Sequence, residues 1–126
     1  MRKQISRIIF TLFAITALFG SAATAASIPE RMSGNYLGTF IGDDYGALRL
    51  TITPDGAITG IAHSNVSYED LEVSGNCDYD GTCEFTTEGK PLRFFGSIDF
   101  MNRFIGKWES TEGSGKGSFT AIITRE

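Results

Sequence analysis

Short runs in which apolar and polar residues alternate constrain this chain most, because a period of two residues fits a strand and not a helix. The clearest run is Ala47–Thr53, in which Leu48, Leu50 and Ile52 share one face. The sequence Pro-Asp-Gly follows at residues 54–56 and is typical of a turn, since proline presets φ and glycine accepts a positive φ. The pattern predicts an all-β fold.

Eight such runs occur, with an alternation slip at residues 69–70 that predicts a bulge or a single helical turn. They are Tyr36–Ile41, Ala47–Thr53, Ala57–Ser64, Tyr68–Cys77, Thr82–Thr87, Leu92–Phe100, Phe104–Glu109 and Lys116–Arg125. The connections are short enough for hairpins, which favours a meander. Closing the meander removes both exposed edges, so we predict an antiparallel eight-stranded up-and-down barrel, with a two-sheet sandwich as the alternative. One domain over residues 35–126 would follow a linker at 26–34.

The first 25 residues have the pattern of a secretory signal peptide. Basic residues at positions 2, 3 and 7 precede an apolar run, Ile8–Phe19, and the small residues Ala23–Ala25 match a cleavage site. The run is too short for a spanning helix, which needs about 20 apolar residues; a buried N-terminal helix is the alternative. No cysteine precedes Cys77 to carry a lipid at the cleavage site. We therefore expect a periplasmic or secreted protein with no membrane span after cleavage after Ala25.

The two cysteines, Cys77 and Cys83, are separated by five residues. In an oxidising compartment such a pair predicts a disulfide, which closes a short loop and contributes about 2 kcal/mol. A redox pair favours two intervening residues, and zinc needs more ligands than two cysteines and one histidine. We therefore predict a structural disulfide that joins two neighbouring strands.

Charge and motifs argue against several classes of function. Removing the leader takes away three of 11 basic residues and none of 15 acidic residues, which leaves a net charge of −7. Such a chain does not suit the phosphate backbone of a nucleic acid. It contains no phosphate loop, zinc signature, nucleophile elbow or dinucleotide motif, so neither an enzyme nor a cofactor is predicted. A small hydrolase would depend on His63, the only histidine, which otherwise fits a polar outward position on a strand.

Acidic connections and outward apolar residues suggest a protein-binding surface. The excess of acidic residues favours a basic partner, as for an inhibitor or immunity-type protein. The acidic segment at residues 78–81 also looks like part of a calcium loop, but a later bidentate glutamate at the required spacing is missing. The predicted partner-binding residues are Asp43, Asp44, Tyr45, Asp78, Tyr79, Asp80, Phe95 and Ile105.

The two faces of the strands raise separate questions. Bulky residues predicted to point inward should fill an eight-stranded barrel; they include Phe40, Phe85, Phe94, Phe100, Phe104, Trp108 and Phe119. The alternative is an internal cavity that carries a small apolar ligand. Several apolar residues are predicted on the outer face: Leu37, Ile41, Ile61, Ile105 and Ile122. They indicate an interaction patch, a misjudged face on one or two strands, or a flattened barrel.

Repeated glycine-containing hairpin segments carry a resemblance to a known kind of protein. They are residues 33–36, Ser-Gly-Asn-Tyr; 54–60, Pro-Asp-Gly-Ala-Ile-Thr-Gly; 95–99, Phe-Gly-Ser-Ile-Asp; and 105–108, Ile-Gly-Lys-Trp. In style they resemble small meander barrels of the avidin and lipocalin kind, over most of the chain that follows the leader. The resemblance implies an eight-stranded barrel. The tryptophan and polar set that holds biotin in avidins has no counterpart here, since Trp108 is the only tryptophan, and no binding residues carry over.

Overall fold

Eight consecutive antiparallel strands form a closed barrel in the computed structural model, which describes residues 28–124. Their bounds are β1 Gly34–Gly42, β2 Gly46–Ile52, β3 Ala57–Ser64, β4 Asp70–Cys77, β5 Thr82–Thr87, β6 Leu92–Ile98, β7 Arg103–Ser110 and β8 Lys116–Ile123. Each strand pairs with the next, and β8 pairs back onto β1. The meander barrel is thus confirmed over the sandwich. The predicted leader, 1–25, lies outside the described residues.

Aromatic side chains fill the interior of the barrel. Burial alternates along each strand, most regularly in β2 and β5. Six buried rings contact one another with centroid separations of 4.7 to 6.2 Å; they are Phe40, Phe85, Phe94, Phe104, Trp108 and Phe119. Most of the pairs are edge-to-face, while Phe85 and Phe94 stack. Such pairs add to the free energy gained from burying their area. The six rings thus occupy the interior of the barrel.

The structure corrects the predicted inward position of Phe100. Strand β6 ends at Ile98, and residues 99–102 form a turn in which the carboxylate of Asp99 accepts hydrogen bonds from the N–H groups of Met101 and Arg103. Phe100 is therefore 80% exposed. The alternation predicted from the sequence ran two residues past the point where the turn redirects the chain.

The start of β4 is also later than predicted. Residues 65–67 form a turn, Tyr68 has a φ of +59°, and the strand begins at Asp70 instead of Tyr68. The slip in alternation at residues 69–70 therefore marks the end of this turn.

A short N-terminal segment covers one end of the barrel, which we call the plug end. Ile28 and Met32, the latter in the 3₁₀ helix Glu30–Met32, are buried in the core cluster. The Tyr36 hydroxyl donates to the Met32 carbonyl at 2.8 Å, and the Ile28 N–H donates to Pro54 at 3.1 Å. The described part of the predicted linker at 26–34 thus packs against the barrel. Within residues 28–124, no helix is long and apolar enough to cross a membrane.

The predicted disulfide is confirmed. Cys77 of β4 and Cys83 of β5 lie directly opposite each other in the strand register and are bonded. Both are buried, and they close the β4–β5 hairpin at the plug end.

Candidate binding surfaces

The two predicted acidic loops lie at opposite ends of the barrel. Connections in a meander alternate between the ends, so the first connection, with Asp43, Asp44 and Tyr45, lies opposite the fourth, with Asp78, Tyr79 and Asp80. The fourth connection lies at the plug end. We call the opposite end of the barrel, where the first connection lies, the rim end. The structure therefore does not bring these six residues together into one site.

At the rim end, two neighbouring loops expose three large side chains that we call the tyrosine rim: Tyr45, Val66 and Tyr68. Tyr45 comes from the β1–β2 loop, and the other two come from the β3–β4 loop. The backbone N–H of Asn65 donates to the Tyr45 carbonyl at 2.8 Å and ties the two loops together. Tyrosine supplies a large contact area with little rotamer freedom to lose, which suits it to binding surfaces.

A buried serine fixes both loops of the rim. Ser64 is 1% exposed, and its hydroxyl lies 2.9 and 3.0 Å from the two carboxylate oxygens of Asp44. The same oxygen accepts the N–H groups of Val66 and Ser67, both at 3.1 Å. Asp44 in turn accepts the N–H of Tyr45 at 2.7 Å. This network ties the two loops of the rim to each other, and loops that are already ordered lose less conformational entropy in any binding event.

Tyr68 stands out because its backbone lies in the left-handed region. Its φ is +59°, an outlier for a bulky side chain, and the side chain is 81% exposed. Such strain costs about 1–3 kcal/mol and persists only where the surrounding structure enforces it. Here the Tyr68 N–H donates to the Ser64 carbonyl at 2.9 Å. The loop thus holds Tyr68 in a strained backbone conformation and exposes its ring to solvent.

Acidic groups surround the rim. Its loops and strand ends carry the carboxylates Asp43, Asp44, Glu69, Asp70, Glu88 and Glu112. Lys90 pairs with Glu69 at 3.0 Å, and this hydrogen bond lowers the pKa of the Glu69 carboxyl. The Asp43 carboxylate accepts the backbone N–H of Lys116 at 3.0 Å. The rim end therefore combines exposed aromatic rings with an excess of negative charge.

Below the rim, the outer wall of β1–β4 contains a hollow of about 550 Å³. This wall hollow is lined by Leu37, Gly38, Ala47, Leu48, Arg49, Ile61, His63 and Asp70. His63 Nδ1 lies 2.6 Å from Asp70 Oδ1, so a carboxylate orients the imidazole ring. On the other side, however, the register places Ala47 opposite His63. The direct cross-strand partner of His63 on β2 thus carries only a methyl group.

The outward apolar residues form an aliphatic stripe next to the wall hollow. The stripe consists of the exposed side chains Leu37, Ile41, Ile105 and Ile122, on strands β7, β8 and β1. Leu37 and Ile122 are direct cross-strand partners. Ile61 faces the same side but is only partly exposed. The outward direction of these residues, predicted from the sequence, is therefore confirmed. Ile105 belongs to a patch of aliphatic side chains.

The remaining predicted residues have local structural roles or lie away from the rim. The guanidinium of Arg93 covers the Phe95 ring at 4.4 Å while pairing with Glu84 at 2.7 Å. The Asp80 carboxylate accepts the N–H of Thr82, a hydrogen bond that lowers the pKa of Asp80. Tyr79 is 73% exposed at the plug end.

Sequence reasoning missed Val66, Tyr68 and the pairing of His63 with Asp70. A signal was present in the stretch Ser-Asn-Val-Ser-Tyr-Glu-Asp at 64–70, whose serine, asparagine and tyrosine content is typical of binding loops. Comparisons with protein-family models, curated proteins and solved structures found no match to this chain.

Proposed function

We propose that this chain is an exported, non-enzymatic binding protein that contacts a basic protein partner through the tyrosine rim. The observation that carries the proposal is the strained and exposed Tyr68 beside Tyr45 and Val66, on loops fixed by the buried Ser64. The acidic groups around the rim would attract a basic partner and speed its association. An inhibitor or immunity-type protein that blocks a cationic enzyme is the concrete form of this function.

Export is supported by two independent features. The N-terminal sequence has the order of a signal peptide, and the bonded pair Cys77–Cys83 is of a kind that persists in oxidising compartments. A periplasmic or secreted location is consistent with both.

The two competing functions have less support. A carrier with an internal ligand would need space that the six core rings occupy. A hydrolase centred on His63 would need a nearby nucleophile, and the cross-strand partner of His63 on β2 is Ala47. Binding through the outer surface fits both observations.

The test is capture of exported proteins of the source organism on the immobilised mature chain, followed by mass spectrometry. We expect a protein with a basic isoelectric point to be retained at low salt and released at about 0.5 M salt, where charge interactions are screened within about 4 Å. Tyr68→Asn should weaken binding of that protein at least tenfold, because exposed tyrosines often dominate binding energy. The variant should fold normally, since asparagine tolerates a positive φ.

Tyr79→Asn is the matched control, because it removes an equally exposed tyrosine from the opposite end. It should leave binding unchanged. Equal loss in both variants, or no basic protein released by salt, would contradict the proposal.

A further inference from the structure

Arg49 places a cation in the wall hollow. Its guanidinium has no hydrogen-bond or ion-pair partner among residues 28–124, and its cross-strand neighbours on either side are Leu37 and Ile61. Arginine matches a carboxylate with two parallel hydrogen bonds, and here no such group of the described chain fills that role. In the hollow, a cationic side chain thus lies between two aliphatic side chains.

His63 adds a second polar atom on the same face. Because the Asp70 carboxylate accepts at Nδ1, that nitrogen carries the proton, and Nε2 has no partner among the described residues. His63 therefore lines the hollow with its ring held by Asp70, and it leaves Arg49 free to meet an anion. Asp70 and Glu72 border this side of the hollow, on β4. Their charge would direct an anion toward Arg49 on β2.

The aliphatic stripe continues from the hollow in the direction away from these carboxylates. The register runs from Arg49 to Leu37 to Ile122 on three successive strands. On the next strand Arg103 lies opposite Ile122, and Ile105 lies two residues further along, opposite Thr120. With strands about 4.8 Å apart, Ile122 lies about 10 Å and Ile105 about 15 Å from Arg49 around the wall. An anionic head group at Arg49 would therefore place an attached alkyl chain over exposed aliphatic side chains.

We propose that the outer wall binds a single-chain aliphatic carboxylate, with its head group at Arg49 and its chain along Leu37, Ile122 and Ile105. The charge at one end and the apolar surface at the other match the two halves of such a molecule. The site lies outside the barrel, where the packed core does not interfere. It does not include the residues of the tyrosine rim, so an experiment can disprove one of the two proposed sites without disproving the other.

The probe for this site is sodium decanoate, added to the isotopically labelled mature chain below its micelle-forming concentration. We expect the backbone amide signals of Leu37, Arg49, Ile61 and His63 to shift with a common dissociation constant. Decyltrimethylammonium, with the same chain and the opposite charge, and butyrate, with the same head group and a short chain, should bind at least tenfold more weakly.

Three variants test the assignment. Arg49→Gln should weaken decanoate binding at least tenfold, and Ile122→Ser several-fold. Lys116→Gln, which removes an equal charge from an exposed position outside the hollow, is the control and should have no effect. The amide spectrum of each variant verifies its fold.

The opposite results would overturn the proposal. These are signals that do not shift at the hollow, equal affinity in wild type and Arg49→Gln, or shifts confined to the core or the rim. Sedimentation with phosphatidylglycerol vesicles provides a further arm. Vesicle binding without binding of free decanoate would assign the wall to a membrane surface and reject the free carboxylate. Tyr68→Asn should leave decanoate binding unchanged, which separates this test from that of the rim.

Discussion

At the scale of single residues, Ser64 connects stability to the binding surface. Its hydroxyl is one of few buried polar side chains among the described residues, and it both contacts the Asp44 carboxylate and accepts two backbone N–H groups. A buried polar group without a partner costs free energy, so one side chain determines whether several others remain satisfied. Tyr68 owes its position to the same residue through its backbone N–H.

Ser64→Ala tests this role. Removing the hydroxyl leaves the Val66 and Ser67 N–H groups without their acceptor, so we expect the free energy of unfolding to fall by about 1–3 kcal/mol. Urea unfolding followed by circular dichroism measures the change. Ser74→Ala, at an exposed position on β4, should change it by less than about 0.5 kcal/mol. An equal effect of the two substitutions would show that the network does not stabilise the loops.

At the scale of elements, two glycines allow β6 and β7 to approach beneath a core ring. Gly96 and Gly106 are cross-strand partners whose missing side chains would point into the barrel. A Cβ on Gly106 would lie 2.1 Å from the Phe95 carbonyl oxygen and 2.8 Å from the Phe119 ring. At these two inward positions of the alternating pattern, the strands have no space for a side chain.

Gly106→Ala should therefore destabilise the barrel by about 3 kcal/mol, since the close atoms are largely backbone and cannot move independently. Thermal and urea unfolding measure the effect. Gly113→Ala, in the β7–β8 loop, is the matched control, because its nearest neighbour would be the Ser110 hydroxyl at 3.4 Å. If both variants unfold at the wild-type urea concentration, steric exclusion at Gly106 is wrong.

At the scale of the whole molecule, carboxylates in the turns favour the ionised form. Three turns at the plug end contain Asp55, Asp80 and Asp99, and the pKa of each is lowered from 3.8. The largest causes are hydrogen bonds from the Thr53 hydroxyl to Asp55 and from the N–H groups of Thr82 and Arg103 to the other two. Because three turns contain such a carboxylate, the stability of the barrel should decrease in acid.

A carboxyl with a lowered folded-state pKa binds its proton more weakly in the folded chain than in the unfolded chain. Its contribution is therefore complete well above pH 3.8 and is lost as the pH falls through the folded-state value. We expect stability against urea to be nearly constant from about pH 6 to pH 5 and to decrease toward about pH 3. Asp99→Asn should have a lower free energy of unfolding than wild type at neutral pH. The difference between the two should become smaller in acid. A gap that widens in acid would contradict this assignment.

The local alternation and the disulfide were predictable, because each depends on residues close together in sequence. The strand assignment in β2 follows from a seven-residue pattern, and the Cys77–Cys83 pair lies within one hairpin. Phe100 was misplaced because the turn at Asp99 depends on hydrogen bonds that periodicity does not encode. The opposite placement of the two acidic loops was implicit in the meander, since the first and fourth connections of an alternating chain cannot share an end.

By itself, the sequence determined that eight strands follow one another and, within the strands, which residues face inward, because side-chain direction in a strand is a local property with a period of two. Only the tertiary structure decided which distant side chains became neighbours. The contact of Ser64 with Asp44, the position of Ala47 opposite His63 and the pairing of Leu37 with Ile122 all depend on the register of the closed barrel. Register is set jointly by every strand pair and by closure of β8 onto β1, so no single segment of the chain contains it.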